Sequence, residues 1–184
     1  MSGGLREIEV KYRLFDLAGL ERALAVRGVS LSPAVVQDDQ AYAPAGWSYG
    51  QPKAGVSFAR LRTQDGGHVF TVKTPLANEM ACAEHETAVA DREQMHEAVL
   101  AMGFVPTMRI VKARRSARVG ELAVCVDEVQ HAGLFFEVEK VVAAGGSALA
   151  VQEVLDGFAR SLGVAMDRVT DTYDSLVRLA LAGG

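Results

Sequence analysis

The chain has 184 residues, of which 49% are hydrophobic and 23% are charged, values typical of a soluble globular protein of one ordinary-sized domain. The net charge of −4 at pH 7 argues against nucleic acid or an anionic membrane surface as a partner. No apolar run approaches the roughly 20 residues of a membrane span, and the N-terminus has no signal-peptide pattern. We therefore expect a single cytoplasmic domain over residues 1–184, in which any anion site is a local cluster.

Eight runs of alternating apolar and polar residues predict β-strands. The predicted strands cover residues 5–14, 35–43, 56–63, 68–74, 80–90, 107–115, 122–129 and 134–142. Short turn signals rich in glycine join several of these runs, which favours antiparallel pairing. Eight strands are enough to close a barrel.

Four amphipathic segments between or after the strands predict helices that pack outside the sheet. Their predicted N-cap residues are Asp16, Asp91, Ser147 and Thr170. Residues 44–55 are rich in Gly, Pro and Ser, which predicts a loop near one mouth of the barrel. The expected fold class is therefore α+β, a closed eight-stranded antiparallel β-barrel with a polar interior and helices outside.

Charged side chains recur at two-residue spacing along the predicted strands. Glu7, Glu9 and Lys11 share one face of the first strand, because side chains two apart point the same way. Burying two carboxylates and an ammonium is costly unless something pairs them. The spacing recurs at Arg60 and Arg62, Glu84 and Glu86, Lys112 and Arg114, and Glu137 and Glu139, with Lys73 and Asp127 as single additions.

The residues between these charges are apolar. Ile8 and Val10 alternate with the first set, Leu61 separates two arginines, and Val138 separates two glutamates. A single charged pair in a strand is ordinarily a solvated outer face. The repeated alternation instead predicts an inverted barrel, with charges inside and apolar residues beneath the helices.

The two kinds of charge suit a divalent cation and a polyanion. Mg²⁺ or Mn²⁺ binds carboxylate oxygens together with substrate phosphates. The candidate metal ligands are Glu7, Glu9, Asp127, Glu137 and Glu139. Lys and Arg neutralise phosphates, and Arg adds bidentate geometry. The candidate triphosphate-binding residues are Lys11, Arg60, Arg62, Lys73, Lys112 and Arg114. This combination predicts phosphoryl or nucleotidyl transfer.

The ordered motifs resemble the CYTH family of triphosphate tunnel enzymes, which includes class IV adenylate cyclases and thiamine triphosphatases. The family signature ExExK is met by Glu7, Glu9 and Lys11. The motifs that follow are ARLR, TVK, VKARR, VDEV and GLFFEVE, and the ending TDTYDSLV is similar to the C-terminal helix of the cyclase-like branch. The resemblance implies an eight-stranded tunnel in which glutamates hold Mg²⁺ or Mn²⁺ and basic residues hold a triphosphate.

The leading functional expectation is metal-dependent hydrolysis of tripolyphosphate, thiamine triphosphate or a nucleoside triphosphate. The alternatives are a class IV adenylate cyclase, a non-catalytic polyphosphate- or nucleotide-binding module, and a structural β protein whose charges face solvent. The expected catalytic residues are Glu7, Glu9, Lys11 and Asp127, with Asp127 either a metal ligand or a water-orienting group. Glu84 and Glu86 are expected to orient the arginines. The sequence leaves a homodimer open.

Overall fold

The computed structural model describes residues 5–143 and 145–183, so that residues 1–4, 144 and 184 of the predicted domain span lie outside the described residues. Within the described residues the strands are β1 (Leu5–Leu14), β2 (Val35–Pro44), β3 (Phe58–Gln64), β4 (Gly67–Pro75), β5 (Ala81–Val89), β6 (Phe104–Val119), β7 (Leu122–Val129), β8 (Gly133–Ala143) and β9 (Met166–Val169). The helices are α1 (Leu17–Ala25), α2 (Arg92–Ala101), α3 (Ala148–Ser161) and α4 (Tyr173–Ala182).

The sheet closes on itself through antiparallel pairs. The strand order is β5-β4-β3-β2-β6-β7-β8-β1-β9, and a further pairing of β5 with β1 completes an eight-stranded ring. The predicted closed barrel is confirmed. The ninth strand, β9, was not predicted, because a pattern of alternating residues cannot be recognised over only four residues. It pairs with β1 outside the ring.

One edge of β1 pairs with two strands, first with β5 and then with β9. β1 pairs with β5 only from Arg6 to Ile8, and with β9 only from Lys11 onward. At the junction, the Glu9 amide donates to the Met80 carbonyl at 2.9 Å. The barrel is therefore closed by a short ladder beside the ExExK segment.

The apolar residues of β1 face outward, as the alternation predicts. Ile8, Val10 and Tyr12 are buried in a cluster that includes Leu20 of α1 and Leu155 of α3. Such clusters fill the space between the barrel and its helices, so that the outer face of the polar barrel supplies the hydrophobic core.

A second outer cluster joins β3 to α2. Leu61, between the two arginines of β3, packs with Val99 of α2 and with Tyr42. None of these three side chains exposes more than 1% of its surface. Both predicted outer faces are therefore confirmed.

Three of the four predicted helix caps are confirmed. The side chains of Asp16, Asp91 and Ser147 accept hydrogen bonds from amides of the first turns of α1, α2 and α3. The fourth helix begins later than predicted, with Thr172 rather than Thr170 as its N-cap residue. The chain is still in strand conformation up to Val169, the last residue of β9. No helix of the described residues is long and apolar enough to cross a membrane.

The interior of the barrel is apolar where α4 covers it. Ile110, Val129 and Phe135 lie two residues from Lys112, Asp127 and Glu137 on the same inward faces. Together with Val177 of α4 they form a buried cluster. The helix therefore caps an apolar layer beneath the charged one.

Candidate active site

The charged residues that the sequence predicts to face inward line one cavity of about 290 Å³. Seven basic and nine acidic side chains contribute to its wall. The predicted site residues along it are Glu7, Glu9, Lys11, Arg60, Arg62, Lys73, Glu84, Glu86, Lys112, Arg114, Glu137 and Glu139. The remaining one, Asp127, lies behind the wall and is fully buried.

Three carboxylates meet at one side of the cavity. Oxygen atoms of Glu7, Glu9 and Glu139 all lie within 4.8 Å of one another. The sheet creates this cluster, because Glu7 and Glu9 are two residues apart and Glu9 stands opposite Glu139 on β8. We call these three residues the carboxylate cluster.

The carboxylate cluster carries negative charge that the neighbouring lysines offset only in part. Burial and the neighbouring Glu137 raise the pKa of Glu9 above its ordinary value. Burial and Glu7 raise the pKa of Glu139 to about 8. A further cation beside these carboxylates would therefore stabilise their ionised form. The oxygen donors and their spacing fit a hard divalent cation.

Two lysines border the carboxylate cluster. Lys73 Nζ lies 2.9 Å from Glu7 and 2.8 Å from Glu84. Lys11 Nζ lies 3.4 Å from Glu9 and 3.3 Å from Glu137. Burial lowers the pKa of each lysine, but the carboxylates outweigh it and both pKa values are raised. Both side chains are therefore held as cations.

Asp127 anchors two basic side chains from behind. It accepts hydrogen bonds from Lys112 Nζ at 2.8 Å and from Arg114 Nε at 2.7 Å. Burial raises the Asp127 pKa, but Lys112 and Arg114 outweigh this and hold it well below its ordinary value. Arg114 Nη2 also donates to Glu137 at 2.5 Å. The structure thus places Asp127 and Glu137 against basic groups, and their predicted role as metal ligands stays a prediction.

Four basic side chains, on β3 and β6, also line or border this cavity. Burial and Arg62 lower the pKa of Arg60, and its buried Nε has no hydrogen-bond partner among the described residues. Burial and Arg114 lower the pKa of Lys112 to about 8. We call Arg60, Arg62, Lys112 and Arg114 the basic wall. Its cations repel one another, and a bound anion would relieve that repulsion.

Glu84 and Glu86 contact one of the predicted arginines. Arg60 Nη2 lies 3.8 Å from Glu84 and 3.3 Å from Glu86. Arg62 is instead held by Asp39, through hydrogen bonds of 2.7 Å from both Nε and Nη2. Asp39 was not among the predicted site residues, although it lies on a predicted strand.

Tyr173 is a second site residue that the sequence analysis missed. It opens α4, and its ring lies 4.2 Å from Lys11 Nζ and 4.7 Å from Lys112 Nζ. Both distances are typical of cation–π contacts. The ring therefore contacts both Lys11, which borders the carboxylate cluster, and Lys112 of the basic wall.

The predicted mouth loop carries a third missed residue, Lys53. Its Nζ donates to Glu79 at 2.9 Å, to Thr172 Oγ1 at 2.7 Å and to Ser175 Oγ at 3.2 Å. These contacts tie residues 45–57 to the first turn of α4. Composition predicted the loop, but nothing in its sequence indicated that Lys53, its single lysine, faces inward.

The match to a known family covers almost the whole chain. Residues 5–173 match the model of the CYTH domain. The chain belongs to the CYTH domain family. The ExExK segment on β1, the carboxylate cluster and the basic wall all lie within the matched region.

Individual similar proteins and solved structures share 20–26% sequence identity with this chain. A Methanocaldococcus jannaschii protein named as a candidate adenylate cyclase is 26% identical over 112 residues, which span 60% of this chain and 64% of that protein, less than two thirds of its length. A Vibrio parahaemolyticus structure, also named as a candidate adenylate cyclase, has a TM-score of 0.77 at 20% identity over 95% of this chain and 99% of that one. A Hippeastrum structure, described as a candidate adenylyl cyclase with a dominant triphosphatase activity, has a TM-score of 0.61 at 20% identity over 94% and 95% of the two chains.

Proposed function

We propose that this protein is a divalent-metal-dependent enzyme that hydrolyses triphosphates inside the barrel. The proposed metal ligands are Glu7, Glu9 and Glu139, and the ion is Mg²⁺ or Mn²⁺. The proposed triphosphate-binding residues are Lys11, Arg60, Arg62, Lys73, Lys112 and Arg114. In this proposal Asp127 holds Lys112 and Arg114 in place, while Glu84 and Glu86 orient Arg60.

The observation that carries the proposal is that one cavity wall contains both three carboxylates within 4.8 Å of one another and the four basic side chains of the basic wall. Burial raises the pKa of Glu139 in the carboxylate cluster and lowers the pKa of Arg60 in the basic wall. Each group of charges is therefore unfavourable when no ligand is bound. A divalent cation at the carboxylate cluster and a polyanion at the basic wall would stabilise both together.

The charge count supports simultaneous binding of ion and substrate. The cavity wall has two more acidic than basic side chains, so a triphosphate alone would add to an existing excess of negative charge. A bound divalent ion would offset that excess and withdraw charge from phosphate oxygens.

The chain's own residues would supply orientation and charge stabilisation. Arg60 and Arg62 can each donate two hydrogen bonds to phosphate oxygens. Lys11 and Lys73, fixed between carboxylates, present ammonium groups at the boundary between metal and phosphate. In hydrolysis, water would attack the terminal phosphorus and lose a proton, the bond to the bridging oxygen would break with the diphosphate portion as the leaving group, and the attacked phosphorus would become orthophosphate.

Cyclisation of ATP is the second candidate function. All three of the similar proteins described above are named as candidate adenylate or adenylyl cyclases. The aromatic side chains of Trp47 and Phe58 line the same cavity, with ring centroids 4.9 Å apart. An organic group on the triphosphate could contact these rings. The Hippeastrum structure is described by a dominant triphosphatase activity, which supports placing hydrolysis first.

A non-catalytic binding module is less well supported. Such a module needs the basic wall, but it has no need for three half-buried carboxylates within 4.8 Å of one another. The carboxylate cluster lowers the affinity for an anion unless a cation accompanies it. Its presence therefore favours an enzyme.

Product analysis tests the proposal. The purified protein is incubated with Mg²⁺ or Mn²⁺ and with tripolyphosphate, thiamine triphosphate or ATP, and the products are separated by ion-exchange chromatography. We expect orthophosphate from at least one substrate, and none after chelation of the metal. Cyclic AMP and pyrophosphate as the dominant products from ATP would reverse the order of the two candidate functions, and absence of turnover would favour the binding module.

A further inference from the structure

Gln152 is a buried polar residue in an unexpected place. It lies on α3, where the other buried side chains are Ala148, Leu155 and Ala159. The remaining buried polar and charged side chains of the described residues all lie on barrel strands. A polar group on the apolar face of a helix is uncommon unless it makes specific hydrogen bonds.

The hydrogen bonds of Gln152 lead to Glu9. Its Nε2 donates to the main-chain carbonyl of Glu9 at 3.1 Å. This carbonyl belongs to the junction at which β1 changes partner from β5 to β9, and Glu9 has no partner residue in either of those ladders. The side-chain amide therefore substitutes for a neighbouring strand at the residue that contributes to the carboxylate cluster.

Asn78 completes the connection from the turn between β4 and β5. Its Nδ2 donates to Gln152 Oε1 at 2.9 Å, and its Oδ1 accepts from the Met80 amide at 2.9 Å. The Met80 carbonyl in turn accepts from the Glu9 amide at 2.9 Å. Both main-chain polar groups of Glu9 are thus fixed, one by Gln152 and one by a turn that Asn78 holds in place.

We propose that Gln152 and Asn78 are positioning residues that hold the main chain of Glu9 so that its carboxylate is preorganised for a divalent cation. This inference rests on the proposed function, because it takes Glu9 as a metal ligand. Groups behind a metal ligand fix its orientation, and their loss weakens binding without removing a donor. Neither residue contacts the ion in this arrangement.

Binding of Mn²⁺ alone tests the proposal without any turnover. Free Mn²⁺ is measured by electron paramagnetic resonance during titration of the wild type, Gln152→Leu and Asn78→Ala, well below their melting temperatures. We expect about five- to tenfold weaker binding for both variants, the effect of losing one well-placed hydrogen bond. Gln152→Glu keeps an acceptor for Asn78 but loses the amide donor, and the same weakening is expected.

Two controls separate positioning from general stability and from the proposed function itself. Leu155→Ala creates a cavity on the same helix face, so it should lower the melting temperature and leave Mn²⁺ affinity within about twofold. Unchanged affinity in Gln152→Leu, together with weak binding in Glu9→Gln, would overturn the positioning role and leave the metal site standing. Wild-type affinity in Glu9→Gln would overturn the metal assignment and the inference with it.

Discussion

Most charged residues inside this barrel are paired with neighbours of opposite sign, but the pairing is uneven. Lys11 lies between Glu9 and Glu137, whereas Arg60 has a buried Nε without a hydrogen-bond partner among the described residues. Buried ion pairs contribute little to stability compared with apolar residues of similar size. The uneven matching is therefore better explained by a ligand than by the stability of the fold.

Arg60 should be a main determinant of triphosphate affinity. Arg60→Gln removes a charged donor from the basic wall, and we expect the KM for the triphosphate to rise at least about tenfold, since hydrogen bonds to charged groups are the stronger class. Steady-state kinetics measures the change. The matched control is Arg109→Gln, which removes an arginine paired with Asp38 at 2.6 Å outside the cavity and should leave KM unchanged. An equal effect of both variants would contradict the assignment.

The raised pKa of Glu139 predicts a pH-dependent metal affinity. Because this pKa is about 8, Glu139 is mainly protonated below pH 8 in the metal-free protein, and a cation must displace that proton. Apparent Mn²⁺ affinity should therefore rise from pH 6 to pH 8 and level off above it. Titration by electron paramagnetic resonance at several pH values measures this dependence. In Glu139→Gln the affinity should be lower and the rise smaller, and an identical profile in both proteins would exclude Glu139 as a ligand.

At the residue scale, the two-residue spacing predicted which charges meet inside the barrel. It could not predict Asp39, because Asp38 and Asp39 are adjacent and must face opposite sides, and the sequence does not show which one faces inward. Asp38 pairs with Arg109 and Asp39 with Arg62. Tyr173 was missed because an aromatic residue in the first turn of an amphipathic helix is ordinarily part of the core.

At the scale of elements, α4 and the mouth loop act together at one end of the cavity. Lys53 connects the loop to the first turn of the helix and to Glu79 of the turn between β4 and β5. Only 9% of the Lys53 side chain is exposed, so these contacts are largely shielded from solvent. The loop and the helix are therefore expected to hold each other in place.

Loss of this contact should loosen the first turn of α4. In Lys53→Met we expect hydrogen exchange of the amides of residues 172–176 to accelerate by about tenfold, because several hydrogen bonds from one ammonium are lost. Exchange followed by mass spectrometry measures the change. The matched control is Lys140→Met, which removes a lysine paired with the exposed Glu121 and should not affect these amides. Unchanged exchange in Lys53→Met would show that the contact does not hold the helix.

The elements themselves were largely predictable, since alternation and capping signals are local. Asp16, Asp91 and Ser147 cap their helices as predicted. The existence of β9, and with it the start of α4, was not predictable from local signals. β9 forms by pairing with β1, in a nonlocal ladder in which Lys11 stands opposite Val169. β6 likewise exceeds its predicted length, since it pairs with both β2 and β7.

At the scale of the whole molecule, the barrel reverses the usual arrangement of polar and apolar groups. Its hydrophobic core lies between the outer sheet face and the helices, and its centre holds charges. Like charges within the carboxylate cluster and within the basic wall oppose folding when no ligand is bound. The folded state should therefore be stabilised by ligands that neutralise both groups of charges.

A thermal shift measures this gain. With Mg²⁺ and a non-hydrolysable imido analogue of tripolyphosphate at about 100 times its Kd, we expect the Tm to rise by about 5–10 °C. The analogue without Mg²⁺ should give a smaller rise, because the cavity already has more acidic than basic side chains. Sodium sulfate at equal ionic strength is the control. Equal shifts with and without Mg²⁺ would contradict joint binding of ion and polyanion.

The most direct test of the proposed chemistry is metal-dependent orthophosphate release from triphosphates by three proteins: the wild type, Glu9→Gln, and Glu128→Gln, whose substituted side chain is exposed on the outer face of β7. We expect Glu9→Gln to lower the rate at least about 100-fold at fixed Mg²⁺ and Glu128→Gln to match the wild type. A wild-type rate in Glu9→Gln, or release that persists in the wild type after chelation of the metal, would contradict it.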